Sequence, residues 1–169
     1  MMLCGTHSLY WYSKFEKFVR IFFMRELIAA LVLWIWICPD TALARTMLFG
    51  GSGHKEYLGC LECSEFASDS ICNGFGKYGS EFSSSGIFNE FAGYGNEFSS
   101  KSPWNEFATS NEVPVLVDEN GKFFGYFTIN EHRSNAVSFA PTLYKLFKTH
   151  RGDLEKVRVA LCRALGKGS

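Results

Sequence analysis

Apolar and polar residues alternate in three blocks of 16 residues that align without gaps over residues 64–111. In the second half of each block, apolar residues recur at every third position, which places them on one face of a short α or 3₁₀ turn. Ser70 and Ser102 stand at expected N-caps, and Gly79 and Gly95 stand where a left-handed residue would end the turn. The pattern predicts three stacked units, each an extended step followed by a short capped turn. A short β-solenoid is the alternative.

The aromatic residues of the blocks recur in register with one asparagine each. No single unit can bury its aromatic face alone, so we expect these aromatics to form the core and the asparagines to bond turn backbone. The alternative hypothesis keeps part of the aromatic face exposed as a surface that binds sugar rings or a partner protein. Its candidate binding residues are Tyr78, Phe88, Tyr94, Trp104, Asn73, Asn89 and Asn105.

Two apolar runs, 113–117 and 122–129, follow the repeats and are rich in β-branched and aromatic residues. Asn120 and Gly121 lie between the runs, and both residue types tolerate positive φ. This arrangement predicts a β-hairpin within residues 112–131. Together with the helices expected after it, the hairpin predicts a small single domain of the α+β class.

The C-terminal residues 132–169 are basic and have helical periodicity. Pro141 suits the start of a first helix that runs to about His150, and a second helix is expected after Gly152. From Thr142 onward there are seven Lys and Arg against two acids, whereas residues 55–131 carry twelve acids and four lysines. The acidic part would oppose nucleic-acid binding, so no nucleic-acid partner is predicted. The basic helices are expected to dock near the acidic repeats or to form a solvated face.

Residues 1–44 have the pattern of an export signal. The apolar run 27–38 has about 12 residues, the length of a signal-peptide core and short for a membrane span. Residues 42–44 offer the small side chains needed for cleavage before Arg45, and Met24 is the expected true start of an over-extended chain. We therefore expect a periplasmic or extracellular protein whose only membrane contact is the signal segment. Anchoring by an uncleaved segment is the alternative.

The segment 45–63, predicted as an N-terminal arm, contains a Cys-x-x-Cys pair, and four cysteines remain after residue 44: Cys60, Cys63, Cys72 and Cys162. An even number in an exported chain favours disulfides, with three connectivities that the sequence does not rank. The spacing of Cys60 and Cys63 also fits a redox-active pair or half of a zinc site. No strand is predicted before the pair, and no common zinc pattern surrounds it. A structural disulfide is therefore preferred, and no metal or cofactor is predicted.

Three motifs carry a resemblance to a known group of proteins: YLGCLEC at residues 57–63, the SxSxWN-like units, and PVLVDENGKFFGYFTIN at residues 114–130. Over roughly Glu56–Asn130 the chain resembles a group of small exported bacterial proteins of unknown function. Those proteins typically carry tyrosine and tryptophan where this chain has phenylalanine, and Cys72 departs from their pattern. The resemblance implies export and a shared compact fold but no reaction.

The sequence therefore predicts a non-catalytic structural or binding module, which would recognise cell-wall glycan or a protein partner through its aromatic repeats. The alternative is a thiol-redox or metal-binding protein that uses Cys60 and Cys63. No catalytic residue is predicted, and the sequence leaves the oligomeric state open.

Overall fold

The computed structural model describes residues 45–167, which form a four-stranded antiparallel sheet followed by two helices. The predicted α+β class is confirmed, whereas the predicted signal segment and start site lie outside the described residues. The sheet is open, with the strand order β2-β1-β3-β4. The elements are β1 (Thr46–Gly50), a 3₁₀ turn (Ser52–His54), β2 (Glu56–Cys60), β3 (Val115–Asp118), β4 (Phe123–Tyr126), α1 (Ala140–Thr149) and α2 (Leu154–Ala164).

Residues 45–63, expected to be an arm, instead supply β1 and β2. Strand β1 pairs with β3, where Leu48 lies opposite Leu116, and it also pairs with β2. The chain approaches so closely at Gly59, which has φ +116°, that a Cβ there would lie 2.7 Å from the Ile71 side chain. A strand therefore leads directly into the Cys-x-x-Cys pair, contrary to the expectation from the sequence.

The repeat segment 64–111 contains neither a strand nor a helix. It is a succession of tight turns closed by hydrogen bonds between backbone groups three or four residues apart. The Ser70 and Ser102 hydroxyls accept bonds from the amides two residues later at 3.1 Å, as expected of caps, but no helix follows either residue. Because no strands form in this segment, the β-solenoid alternative is wrong.

Gly79 and Gly95 occupy the predicted turn ends, but neither has a positive φ. Glycine is needed there for a different reason, which is the close approach of another stretch of backbone. A Cβ on Gly79 would lie 2.6 Å from the Ile71 carbonyl oxygen, and a Cβ on Gly95 would overlap the carbonyl oxygen of Asn89. The glycines therefore make the turns tight rather than left-handed.

The predicted hairpin is confirmed as β3 and β4. The Asp118 carboxylate accepts bonds from the amides of Asn120 at 2.8 Å and Lys122 at 2.9 Å, and Gly121 adopts φ +79°. The side chain of Asp118 thus closes the loop together with two backbone bonds, from the Asp118 amide to the Lys122 carbonyl at 3.1 Å and from the Gly121 amide to the Asp118 carbonyl at 3.0 Å. Gly121 supplies the left-handed residue that the turn needs.

Both predicted helices are also confirmed, with Pro141 in the first turn of α1 and Asp153 as the N-cap of α2. Asp153 accepts a bond from the Lys156 amide at 3.0 Å. The helices bury Leu143 and Phe147 from α1, and Leu154, Val157 and Leu161 from α2, against the sheet and the repeat segment. Neither helix within residues 45–167 has the length and apolar character required to cross a bilayer.

Candidate functional site

Six phenylalanines of the repeat segment project into solvent, with 84–103 % of the surface of each exposed. We call them the phenylalanine row: Phe66, Phe75, Phe82, Phe91, Phe98 and Phe107. They follow one another at alternating separations of nine and seven residues. Soluble proteins rarely expose large apolar side chains in such a set, which makes the row the candidate functional site.

Each phenylalanine is held by the residue two positions before it. Ser64, Asn73, Ser80, Asn89, Asn96 and Asn105 accept a bond from the amide of the phenylalanine that follows, at distances of 2.8–3.4 Å. Such side-chain turns fix the direction in which the backbone leaves and hence the direction of the next side chain. The six exposed rings therefore share one repeated local hydrogen bond. Trp104 makes the same bond to Ser102 and is buried, so the bond fixes the turn and does not by itself expose the ring.

The three aligned asparagines make a second bond that ties neighbouring turns together. Asn73, Asn89 and Asn105 each donate from Nδ2 to the backbone carbonyl six residues earlier, at 3.1–3.2 Å. The expectation that these asparagines bond turn backbone is confirmed. Because the carbonyl oxygen and the NH2 group of each side chain are both hydrogen-bonded, the asparagines act as a scaffold for the row.

Shallow grooves separate successive rings of the row. Phe82 and Phe91 line one groove of about 670 Å³ together with Arg151 and Leu154. Phe91 also lines the next groove, of about 340 Å³, with Phe98. Two further grooves are lined by Phe66, Phe75 and Phe82, and by Phe98 and Phe107. Because each groove shares a ring with the next, the six rings form one continuous surface.

Carboxylates accompany the row, since a glutamate directly precedes every phenylalanine except Phe75: Glu65, Glu81, Glu90, Glu97 and Glu106. Glu106 forms an ion pair with Lys148 of α1, and this bond raises the pKa of the Lys148 amine. Within residues 45–167 the other four glutamates make no ion pair. The surface therefore combines exposed rings with unpaired negative charge.

Basic residues of the helical end lie beside the acidic repeats. Besides Lys148, Arg158 of α2 donates to the Cys72 carbonyl at 2.7 Å, and Arg151 lines two of the grooves. The expected docking of the basic helices near the acidic repeats is therefore observed. Arg158 also bonds Glu155 at 2.8 Å, so its charge is largely satisfied within the helix.

Three of the predicted binding residues, Phe88, Tyr94 and Trp104, lie in the core, with at most 3 % of their surface exposed. The Trp104 indole donates to the Ile87 carbonyl and stacks on Phe147, with ring centroids 6.0 Å apart. A surface role is closed to these side chains because they are buried in the core. An exposed aromatic surface nevertheless exists, built from other positions of the same repeats.

Tyr78, the remaining tyrosine candidate, and Tyr94 both contact residues of β2. Tyr78 is partly buried and packs edge-on against Tyr57, with centroids 5.2 Å apart. The Tyr94 hydroxyl donates to Glu56 at 2.7 Å, and burial together with this bond raises the Tyr94 pKa. Both tyrosines thus connect the repeat segment to β2.

The interpretation from three-residue spacing missed the row because it placed Phe75, Phe91 and Phe107 on the same face as Phe88 and Trp104. The signal that identifies the exposed set is the pair of a Ser or Asn and a Phe two positions later, which occurs six times in residues 64–107. At the buried aromatic positions, Phe88 has Gly86 two residues before it, and Trp104 has a fully buried serine there.

All four cysteines after residue 44 are paired as disulfides: Cys60 with Cys63, and Cys72 with Cys162. The predicted disulfide bonding is confirmed, and because the sulfurs are paired with each other none is free to ligate zinc. Cys72–Cys162 joins the repeat segment to α2. Cys60–Cys63 lies at the end of β2, where Arg45 Nη2 donates to Cys63 Sγ at 3.0 Å.

Comparison with known proteins adds no assignment to this geometry, because no protein-family model, no curated protein and no solved structure matches the chain.

Proposed function

We propose that this chain is an exported, non-catalytic binding module that holds a protein partner on the phenylalanine row. The observation that carries the proposal is the exposure of six rings, each at 84 % or more. At about 200 Å² for each ring, the row presents on the order of 1,000 Å² of apolar surface. This area exceeds the roughly 300–600 Å² of the largest patch on a typical monomer and is close to the ~800 Å² that each partner buries in a stable complex.

The size of the surface favours a protein over a sugar chain as the partner. A sugar that stacks on one or two rings would leave most of the row uncovered. A protein segment that follows the shared grooves could contact all six rings, and the shallow grooves suit side-chain anchors better than a deeply enclosed small ligand.

The carboxylates indicate which kind of protein segment would fit. Glu81, Glu90 and Glu97 alternate with the central rings and are unpaired within the described residues. A segment in which Lys or Arg alternates with apolar side chains would satisfy both features. A second copy of the row is disfavoured, because it would set glutamates against glutamates.

The disulfides support export. Two disulfides join all four cysteines that follow residue 44, and such bonds persist in oxidising compartments such as the periplasm and the extracellular space. The predicted signal segment would deliver the chain there, with or without cleavage.

The proposal can be tested by a matched pair of double variants. F91S/F98S removes two central rings, whereas F123S/F124S removes two partly exposed rings of β4 that lie outside the row. The probes are a synthetic peptide of alternating lysine and leucine, its glutamate-leucine analogue, and purified peptidoglycan. We expect F91S/F98S to bind the basic peptide at least about tenfold more weakly, with an unchanged unfolding midpoint, and the control variant to bind normally.

Charge recognition is tested separately with E90Q/E97Q, which should weaken binding and reduce its dependence on salt. Retention on peptidoglycan without binding of the basic peptide would favour a glycan ligand instead. Equal binding of the basic peptide by F91S/F98S and the unaltered chain would refute a role for the row.

A further inference from the structure

The two disulfides differ in what they cross-link. Cys72–Cys162 spans 90 residues, whereas Cys60–Cys63 spans three. A cross-link lowers the entropy of the unfolded chain by an amount that grows with the logarithm of the number of residues in the closed loop. Cys60–Cys63 therefore contributes little to stability. The presence of Cys60–Cys63 is therefore not explained by stability alone.

A cation lies against one sulfur of the short disulfide. Arg45 Nη2 is 3.0 Å from Cys63 Sγ and 2.7 Å from an Asp69 carboxylate oxygen, and the Tyr57 hydroxyl donates to the same oxygen at 3.1 Å. The Asp69 carboxylate thus holds the guanidinium in place. A guanidinium next to Cys63 Sγ stabilises that sulfur when it is released as a thiolate.

The two cysteines differ in exposure. Cys60 is completely buried, whereas Cys63 keeps 8 % of its surface exposed, and the Arg45 side chain beside it is 52 % exposed. The backbone at Cys60 is fixed independently of the disulfide, because its amide donates to the Asp69 backbone carbonyl at 2.7 Å and its carbonyl accepts from the Ile71 amide at 3.0 Å. The pair can therefore open at Cys63 while the end of β2 stays in place.

We propose that Cys60–Cys63 is a thiol–disulfide exchange site for an external dithiol, with Cys63 as the sulfur that is attacked. A thiolate of the dithiol attacks Cys63 Sγ, the bond to Cys60 breaks, and Cys60 leaves as a thiolate that takes up a proton. The second thiol of the partner, after losing its proton, attacks the partner sulfur of the mixed disulfide and releases Cys63 as a thiolate beside Arg45. The partner becomes a disulfide, and two electrons pass to the cysteine pair.

The first experiment equilibrates the purified protein with mixtures of reduced and oxidised dithiothreitol, followed by alkylation and peptide mass analysis. We expect Cys60–Cys63 to open at a ratio of reduced to oxidised reagent at least about tenfold lower than Cys72–Cys162 requires, with an unchanged circular dichroism spectrum. Opening of Cys60–Cys63 only together with Cys72–Cys162, or only on unfolding, would overturn the proposal.

The second experiment tests Arg45 by the rate of Cys63 alkylation with iodoacetamide as a function of pH, after selective reduction. Arg45→Met should slow alkylation at pH 7 about five- to tenfold and move the midpoint of the profile to higher pH, whereas Arg45→Lys should restore most of the rate. Lys145→Met, which removes an exposed cation of α1, is the matched control and should leave the profile unchanged. A profile of Arg45→Met that coincides with that of the unaltered protein would refute the role of the guanidinium. Neither experiment involves the phenylalanine row, so this proposal and the proposed function fail separately.

Discussion

Removal of the long disulfide should destabilise this domain far more than removal of the short one. In the chain-entropy description the stabilisation depends on the number of residues in the closed loop. The 90-residue separation of Cys72 and Cys162 corresponds to ~4.6 kcal/mol at 25 °C, and the three-residue separation of Cys60 and Cys63 to ~1.6 kcal/mol. The variants C72A/C162A and C60A/C63A should therefore differ by about 3 kcal/mol in the free energy of unfolding.

Trp104 provides the assay, because it is the only tryptophan after residue 44 and its indole lies in the core. Urea unfolding followed by its fluorescence would give the free energy for both variants. In a domain of this size, a difference of 3 kcal/mol corresponds to a melting temperature lower by roughly 10 °C. C60A/C63A serves as the matched control, since it also removes two sulfurs from buried positions.

Equal destabilisation of the two variants would contradict the reasoning. It would mean that loop length does not govern the contribution of these bonds, and that the unfolded chain already holds α2 near the repeat segment without the cross-link. A larger loss for C60A/C63A would place the essential constraint at the end of β2 instead.

Three further predictions concern single residues. Gly95→Ala should lower the free energy of unfolding by more than ~2 kcal/mol, because its Cβ would overlap a backbone carbonyl. The control Gly93→Ala should cost less than ~0.5 kcal/mol, because its Cβ meets only the end of a flexible lysine. Similar urea midpoints for the two variants would contradict this. Burial and the hydrogen bond to Asp69 raise the pKa of Tyr57 from 10.0 to about 12. The stabilisation that the protonated Tyr57 hydroxyl gives the folded state is therefore complete below pH 10 and is lost as the pH rises towards 12. Asp69→Asn should lower the midpoint of the tyrosinate absorbance titration, and an unchanged midpoint would argue against the assigned bond. Asp153→Ala removes the N-cap of α2 and should lower the free energy of unfolding, measured in urea, by about 1 kcal/mol. An unchanged free energy of unfolding would contradict this role of Asp153.

The hairpin and both helices could be predicted because their signals are local. Asn120-Gly121 marks the turn, and Pro141 and Asp153 mark the helix starts within a few residues of the elements that they begin. Strand β1 has no such signal. It is five residues long, its register with β2 shifts at Leu48, and its partner β3 lies about 65 residues further along the chain. Its place in the sheet depends on pairing that no local pattern encodes.

The exposed row could be predicted only in part. Phe88 and Phe91 are three residues apart and identical in type, yet one is completely buried and the other is 87 % exposed. A three-residue period predicts that they share a face, as they would in a helix. The Phe91 amide donates to the Asn89 side chain, whereas Phe88 follows Gly86, which has no side chain to accept such a bond. Composition and periodicity do not distinguish these two positions, whereas the residue two positions before each of these phenylalanines does.

This coupling of scaffold and surface limits which substitutions can separate folding from binding. Asn89 accepts from the Phe91 amide at 3.0 Å and donates to the Ser83 carbonyl at 3.1 Å, so its loss would disturb the turn and the ring together. Phe91 itself contributes exposed surface and little packing, so its loss should affect only recognition. Two positions interrupt the charges along the row, because Gly74 stands in place of a glutamate before Phe75 and Glu106 is paired with α1. The longest run of exposed rings with unpaired glutamates therefore lies in the middle of the row, from Glu81 to Phe98, and a basic partner should be recognised there first.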